Sequence, residues 1–330
     1  TERKDNRQLG DMITEGILNI NKPQNMTSHD VVSVCRRVLG IRKIGHTGTL
    51  DPMATGVLPI CIGRSTRMIE YLDMDMKKYR CTMELGLETD TQDIWGEVLG
   101  RYPVTCTEED VRKAFSAFHG VIDQRPPMYS ALKVDGKRLY EYAREGKTVD
   151  VKTRKIYIKS LEIESIFPNG EKTVTFTVEC SKGTYIRTIC QDAGLALGCR
   201  GTLTALKRLA GGIFTAEEAV DLEELKTMEP AAIEKKLYSS DAPLVHFGKA
   251  VTDEETGLKF TTGWHLPLSR CEIAEKPEFE EKDFCLPLRE EFRRAYRVYA
   301  NIGGRETFLG VAFYDNRYRK LVADKIFFTR

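Results

Sequence analysis

Hydrophobic and polar positions along the first two thirds of the chain change period several times. In Gly16 to Lys22 (GILNINK), Leu18 and Ile20 alternate against Ile17, Asn19 and Asn21, predicting a short strand closed by Pro23. Ser28 is placed to cap a helix reaching about Leu39, with Val31, Val32, Cys35, Val38 and Leu39 on one face and Gly40 ending it. Val57 to Ile62 (VLPICI) is a continuous apolar run of buried-strand length, and Ser65 caps a short helix to Leu72. Tyr79, Cys81, Met83, Leu85 and Leu87 alternate as one face of a strand. Thr107 to Asp110 reads as a capping box opening a helix that buries Val111, Ala114, Phe115 and Phe118. Ile156 to Ile166 and Thr173 to Cys180 read as strands, and Gly183 to Leu197 begins as a polar-aromatic cluster and turns helical. Strands mixed irregularly with helices predict an α+β fold on a mixed or antiparallel sheet.

The pattern shifts at Tyr238 to Pro243. Beyond it, short strand-like pieces (Leu244 to Ala250, Ala295 to Ile302, Thr307 to Phe313, Lys320 to Phe328) are separated by glycines and charged turns, as in a small β-barrel. Three parts are therefore expected: a disordered leader or tag remnant over residues 1–11, a larger domain over 12–243 and a small one over 244–330. Glu272 to Asp283 is acidic and reads as an insertion in a loop of the small domain.

Composition narrows the class. Hydrophobic residues make up 41% and charged residues 30% of the 330, with no run of membrane-spanning length, so a cytoplasmic protein is expected. Nine cysteines, none spaced CxxC, and five scattered histidines predict reduced thiols and no metal site. The net charge of +1 hides segregation. Arg125 to Lys155 holds nine Lys or Arg against four acids, whereas Glu217 to Glu234 holds seven acids and one lysine. Such segregation suits a chain that grips a phosphate backbone on one face.

Residues 45–56 (GHTGTLDPMATG) carry the candidate chemistry. Three glycines let the backbone turn and approach a ligand, Pro52 fixes the chain after Asp51, and the acid has no carboxylate neighbour in its loop. Gly146-Lys147-Thr148 ends like a phosphate loop, but Glu141 stands where its upstream glycine is required. The glycine-rich segment closely resembles the catalytic loop of the bacterial-type TruB family of tRNA pseudouridine synthases. Further segments resemble the same family: Lys77-Lys78-Tyr79-Arg80, Gly183-Thr184-Tyr185-Ile186-Arg187, residues 124–140, and Leu206 to Phe214.

The resemblance implies a pseudouridine synthase core followed by a PUA-like β-barrel that binds RNA. It implies isomerisation of the T-loop uridine (tRNA position 55) to pseudouridine, with no cofactor because atoms balance, and assistance to tRNA folding. Asp51 is the implied nucleophile, and its attack on the anomeric carbon, on the ring, or as base in a glycal route stay equally open. Arg187 is the implied cationic partner, Tyr79 the stacking platform and Tyr185 a base or its orienter. By periodicity alone Tyr79 is a core residue; the resemblance reassigns it. His46, flanked by Gly45 and Thr47, is expected to fill the space left by the flipped base, and Leu206 to line the pocket. Lys133, Lys137, Arg138, Arg144 and Arg67 are expected on RNA phosphates, with Asp90 and Asp93 in support. The expected partner is the T-arm of tRNA, with no membrane, no obligatory protein partner and a monomeric enzyme. An RNA-folding protein and a guide-RNA-dependent synthase subunit are the alternative readings.

Overall fold

A computed structural model describes residues 13–74, 76–278 and 290–328; the expected leader lies outside the described residues. The main sheet uses strands β1 (Gly16–Lys22), β2 (Ile44–His46), β3 (Thr55–Ile62), β4 (Lys77–Leu85), β5 (Gly120–Gln124), β6 (Arg154–Ile166), β7 (Thr173–Cys180), β8 (Gly201–Gly211) and β9 (Val220–Asp221). Its order is β9-β1-β3-β8-β4-β7-β6-β5, with β2 against β3 and two short strands completing eleven. β3 and β8 run parallel, as do β1 and β9, and the other neighbours along this path are antiparallel. The mixed α+β class expected from the sequence is what forms.

Helix α1 (Ser28–Leu39) closes on Gly40 at φ +69°, a left-handed position suited to glycine. Its N-cap is Thr27 and not Ser28. Asp30 N donates to Thr27 Oγ1 at 3.1 Å, and Thr27 N donates to Asp30 Oδ2 at 2.8 Å. Ser28 instead binds a remote peptide. Its hydroxyl takes Leu50 N at 2.8 Å and donates to Leu50 O at 3.2 Å, pinning the loop that carries Asp51. The expected helix from Ser65 is a longer 3-10 stretch, Gly63–Met74. The strand expected through Leu87 ends at Leu85, because Gly86 turns at φ +81°. Helix α2 (Glu108–Phe115) starts at the Thr107 capping box read from the sequence. Helices α3 (Leu139–Arg144) and α4 (Ile186–Ala196) follow.

The second sheet has β10 (Gly248–Thr252), β11 (Leu266–Pro267), β12 (Cys271–Glu275), β13 (Ala295–Ile302), β14 (Arg305–Asp315) and β15 (Lys320–Ile326), in the order β11-β15-β14-β13-β10-β12. It forms a curled half-barrel. The acidic stretch expected as a loop insertion contributes β12 instead, and its remainder from residue 279 lies outside the described residues.

Among the described residues, four apolar clusters fill the interior. The largest packs α1, α2 and α4 on the main sheet. Another joins the two sheets: Met68, Tyr71 and Leu72 from the 3-10 stretch pack with Leu244, Phe247, Phe292 and Phe327. Arg64 Nη1 donates to Phe327 O at 2.6 Å and Arg67 Nη1 to Ile326 O at 2.8 Å across the same seam.

Candidate active site

The loop between β2 and β3 is held by its own backbone. Thr47 N donates to Pro59 O at 3.1 Å, Ala54 N to Asp51 O at 3.0 Å and Asn25 N to Pro52 O at 3.0 Å. Gly56 cannot be another residue: a Cβ there would lie 2.1 Å from Arg208 O in the parallel neighbour β8. Arg208, 2% exposed, reaches under the loop, its Nη2 donating to Thr49 O at 2.9 Å and its Nη1 to Val57 O at 3.1 Å and Gly48 O at 3.3 Å. Lys22, fully buried, donates to Met26 O at 2.5 Å and Pro52 O at 3.4 Å. Burial pulls its ammonium down to about 8, opposed by the charge of Asp51. The aspartate thus projects from a rigid turn with its side chain 37% exposed.

Opposite stands Arg187 in the first turn of α4. Its Nε lies 3.1 Å from Asp51 Oδ2 and its Nη2 3.5 Å from Asp51 Oδ1. Nη1 lies 3.5 Å from Asp93 Oδ2 and donates to Thr91 O at 3.0 Å, while Nη2 donates to Tyr129 O at 3.0 Å. One guanidinium therefore spans two carboxylates and two carbonyls, a geometry a lysine could not reproduce. Burial pushes the Asp93 carboxyl up, against the pull of Arg187 and of bonds from Trp95 N and the Thr91 hydroxyl. The Tyr185 peptide before α4 is clamped on both sides by buried Gln124: Tyr185 N donates to Oε1 at 2.8 Å, and Nε2 donates to Tyr185 O at 3.0 Å.

These groups open onto a cavity of about 440 Å³, the size of a small-ligand site. Asp51, Tyr79, Tyr185, Arg187 and Leu206, all expected at the site, line it together. Tyr79, 7% exposed on β4, presents its ring there; Arg208 Nε donates to its hydroxyl at 3.3 Å and the guanidinium carbon sits 5.5 Å from the ring centre. Burial raises the Tyr79 phenol despite Arg208, so it stays neutral at neutral pH.

The expected RNA contacts sit apart from the floor. His46 ends β2 opposite Ile60; burial and the positive charge of Arg208 lower its pKa, and its buried Nδ1 has no hydrogen-bond partner among the described residues. Gly45 is packed near Ile69, and Thr47 ties to Pro59. Lys133 and Lys137 form a two-strand turn leading into α3. Arg138 and Arg144 flank the Tyr140 ring at 5.8 and 5.2 Å, and Tyr140 lines the cavity. Lys137 pairs with Glu145 and lies 4.8 Å from the Tyr142 ring centre. Arg67 lies at the seam with the second sheet, over the Phe327 ring at 5.7 Å.

Sequence reading gave Asp93 only a supporting place and passed over Gln124, Tyr129, Tyr140, Lys22, Lys77 and Arg208 as individual residues. Lys77 and Arg208 stand inside quoted motifs, one on the same strand face as Tyr79, the other opposite it in the β4/β8 register. Gln124 opens the segment 124–140 noted above, but its burial and that of Lys22 follow from long-range packing.

Residues 36–186 match the family described as TruB family pseudouridylate synthase, N-terminal domain, and residues 187–242 the tRNA pseudouridylate synthase B C-terminal domain. The chain is 49% identical over 277 residues to the tRNA pseudouridine synthase B of Alkaliphilus oremlandii, covering 84% of this chain and 91% of that one. It is 40% identical over 315 residues to the protein of that name from Clostridioides difficile, covering 94% and 99%. Among solved structures, that titled a Cbf5-Nop10-Gar1 complex matches with TM-score 0.71 at 22% identity, covering 96% of this chain and 86% of the other. The archaeal box H/ACA sRNP Nop10-Cbf5 complex matches with TM-score 0.68 at 22% identity, covering 95% and 85%. At that identity the likeness concerns the fold.

Proposed function

The chain belongs to the TruB family of pseudouridine synthases, and from that membership we propose that it isomerises the T-loop uridine of tRNA, position 55, to pseudouridine through Asp51 and without a cofactor. The observation that carries this reading is Asp51 held 3.1 Å from Arg187 at a 440 Å³ cavity that Tyr79 also lines.

The reaction breaks the bond from the ribose anomeric carbon to uracil N1, turns the base over and joins the sugar to C5. The target uridine first leaves its stack. Tyr79 receives its face, a contact worth about 1–3 kcal/mol per base. Arg187 pairs with the Asp51 carboxylate and aims it beside the sugar. Tyr185 takes the C5 proton or orients the group that does. Leu206 gives the pocket an apolar wall. His46, uncharged at neutral pH, fills the gap in the RNA, with Gly45 and Thr47 letting the loop approach the backbone.

Recognition outside the pocket rests on phosphates and RNA shape. Lys133, Lys137, Arg138 and Arg144 grip the T-arm from one side, and Arg67 contacts a phosphate near the seam. Residues 12–243 form the catalytic unit and 244–330 a PUA-like RNA-binding unit. The enzyme works in the cytoplasm as a monomer without a protein partner, and base flipping gives it a second use in opening misfolded tRNA.

The test is to incubate a full-length tRNA transcript with the purified chain and map pseudouridine along it. The reading predicts one modified site, at position 55, lost when that uridine is replaced by cytidine. Modification elsewhere with position 55 untouched would contradict it.

A further inference from the structure

Gln92 holds a backbone conformation that side chains rarely adopt. Its φ is +65°, in the left-handed region where glycine is the unstrained choice. Such a residue persists only where its surroundings hold it, and such residues gather at functional sites. Here the carboxamide itself is held. The Thr188 hydroxyl donates to Gln92 Oε1 at 3.1 Å, and Gln92 Nε2 donates to Gln191 Oε1 at 2.6 Å. Both partners stand on α4, and Gln191 follows Arg187 by one helical turn on the same face. The main chain of Gln92 reaches the other way. Leu203 N donates to Gln92 O at 3.0 Å, and Ile94 N donates to Leu203 O at 2.9 Å. Leu203 lies on β8, the strand that carries Leu206 and Arg208. Gln92 thus ties two walls of the cavity together, its backbone to β8 and its side chain to α4.

The residues on either side of Gln92 hold Arg187. Thr91 O accepts from Arg187 Nη1 at 3.0 Å, and Asp93 Oδ2 lies 3.5 Å from the same nitrogen. Nε and Nη2 of that guanidinium face Asp51. A guanidinium is planar and rigid, so its two sides turn together. A shift of the Thr91–Asp93 turn therefore re-aims the edge that meets Asp51. The turn moves as one piece: Thr89 Oγ1 donates to Asp93 O at 2.8 Å and Thr91 Oγ1 to Asp93 Oδ1 at 3.0 Å. It is also tight, since a Cβ on Gly96 would lie 2.3 Å from Thr91 Oγ1. The Gln92 bridge is neutral, so it steadies this turn without competing with Asp51 and Asp93 for the cation.

We propose that Gln92 is a positioning residue for the reaction: bridged to Thr188 and Gln191, it fixes the Thr91–Asp93 turn against α4 and so sets the direction in which Arg187 meets Asp51. This rests on the function proposed above, in which Arg187 aims Asp51 at the sugar. Gln92 touches neither substrate nor the reacting atoms. Its loss leaves Asp51, Arg187 and Tyr79 in place and loosens the angle between the first two.

The experiment is a single-turnover measurement at saturating tRNA with wild type, Gln92→Met, Gln191→Met and the double variant. Methionine keeps the length of the side chain and cannot make the bridge. A misplacement of about 1 Å at a reacting group can cost about 100-fold in rate. Each single variant is expected to be slower by about tenfold while its RNA dissociation constant stays within about threefold. The double variant is expected to be no slower than Gln92→Met, because both substitutions break the same bond. A second readout follows the turn itself. The chain has two tryptophans, and Trp95 N donates to Asp93 Oδ1 at 3.0 Å. In a Trp264→Phe background Trp95 is the sole tryptophan, and breaking the bridge is expected to lower its fluorescence anisotropy. Variants that keep the wild-type rate overturn the assignment. So do losses of affinity in place of rate, losses that multiply in the double variant, or a slower rate with unchanged Trp95 anisotropy. If Gln92→Met fails to fold, Gln191→Met breaks the bridge from the helix side and must give the same slowing. Wild-type turnover is read first: its absence overturns the proposed function and this assignment with it, whereas a wild-type rate matched by both single variants overturns this assignment alone.

Discussion

Arg187 sits in the first turn of α4, where the helix dipole disfavours a cation. Asp51 and Asp93 offset that cost, so each carboxylate is held by a charge that needs it in return. Replacing Arg187 by Met leaves Asp93 buried without its cation, and a loss of about 3 kcal/mol in urea unfolding is expected. A variant as stable as wild type would show that the pair contributes nothing net. Tyr79→Phe keeps the ring and loses only the bond from Arg208, so partial activity is expected, whereas Tyr79→Leu should abolish nearly all turnover. Equal rates for the two would remove the stacking role. Lys22 gives a pH signature. Its folded value of about 8 lies below its ordinary 10.5, so between these limits the unfolded chain binds more protons and stability rises with pH. Denaturation at pH 8 and pH 10 should show a gain for wild type that Lys22→Met lacks; equal gains would contradict the assignment. Asp51 and Tyr79 were legible in the sequence because a dense motif surrounds them. Gln124 was not, since only the folded β5/α4 contact shows it gripping the Tyr185 peptide.

Among the elements, strands and helices with a clear period were readable, and two cap assignments failed where a side chain had a remote partner. Ser28 looked like a cap and is a pin for the Leu50 peptide; Thr27 does the capping. Ser65 also looked like a cap, yet its buried hydroxyl accepts from Gly16 N and pairs with Ser240, joining segments far apart in sequence. The 3-10 stretch after β3 has a consequence for truncation. It continues from the strand beside the Asp51 loop, and its Met68, Tyr71 and Leu72 share a core with Phe247, Phe292 and Phe327. Tyr71 also bonds Asp324 and Glu70 pairs with Lys325. Removing residues 244–330 should therefore lower stability as well as RNA affinity. Phe327→Ala, at a side chain 1% exposed, should cost about 3 kcal/mol in urea unfolding. A change under about 0.5 kcal/mol would mean the seam adds little.

Across the chain, a net charge of +1 gives no general attraction to RNA, so binding depends on local basic segments. The segment containing Lys133, Lys137, Arg138 and Arg144 leads through Tyr140 to the cavity, and under the proposed function a phosphate grip there positions the uridine to be flipped. Arg144→Gln should weaken tRNA binding and reduce the slope of log affinity against log salt by about one. An unchanged slope would place Arg144 off the phosphates. Whether Asp51 performs the isomerisation is read most simply from tritium release. Uridine labelled at ring carbon 5 is placed in a T-arm stem-loop, and wild type and Asp51→Asn are run side by side without added cofactor. Release by wild type alone, with RNA affinity of the variant within a few-fold, is the predicted result; release by Asp51→Asn near the wild-type rate would contradict it.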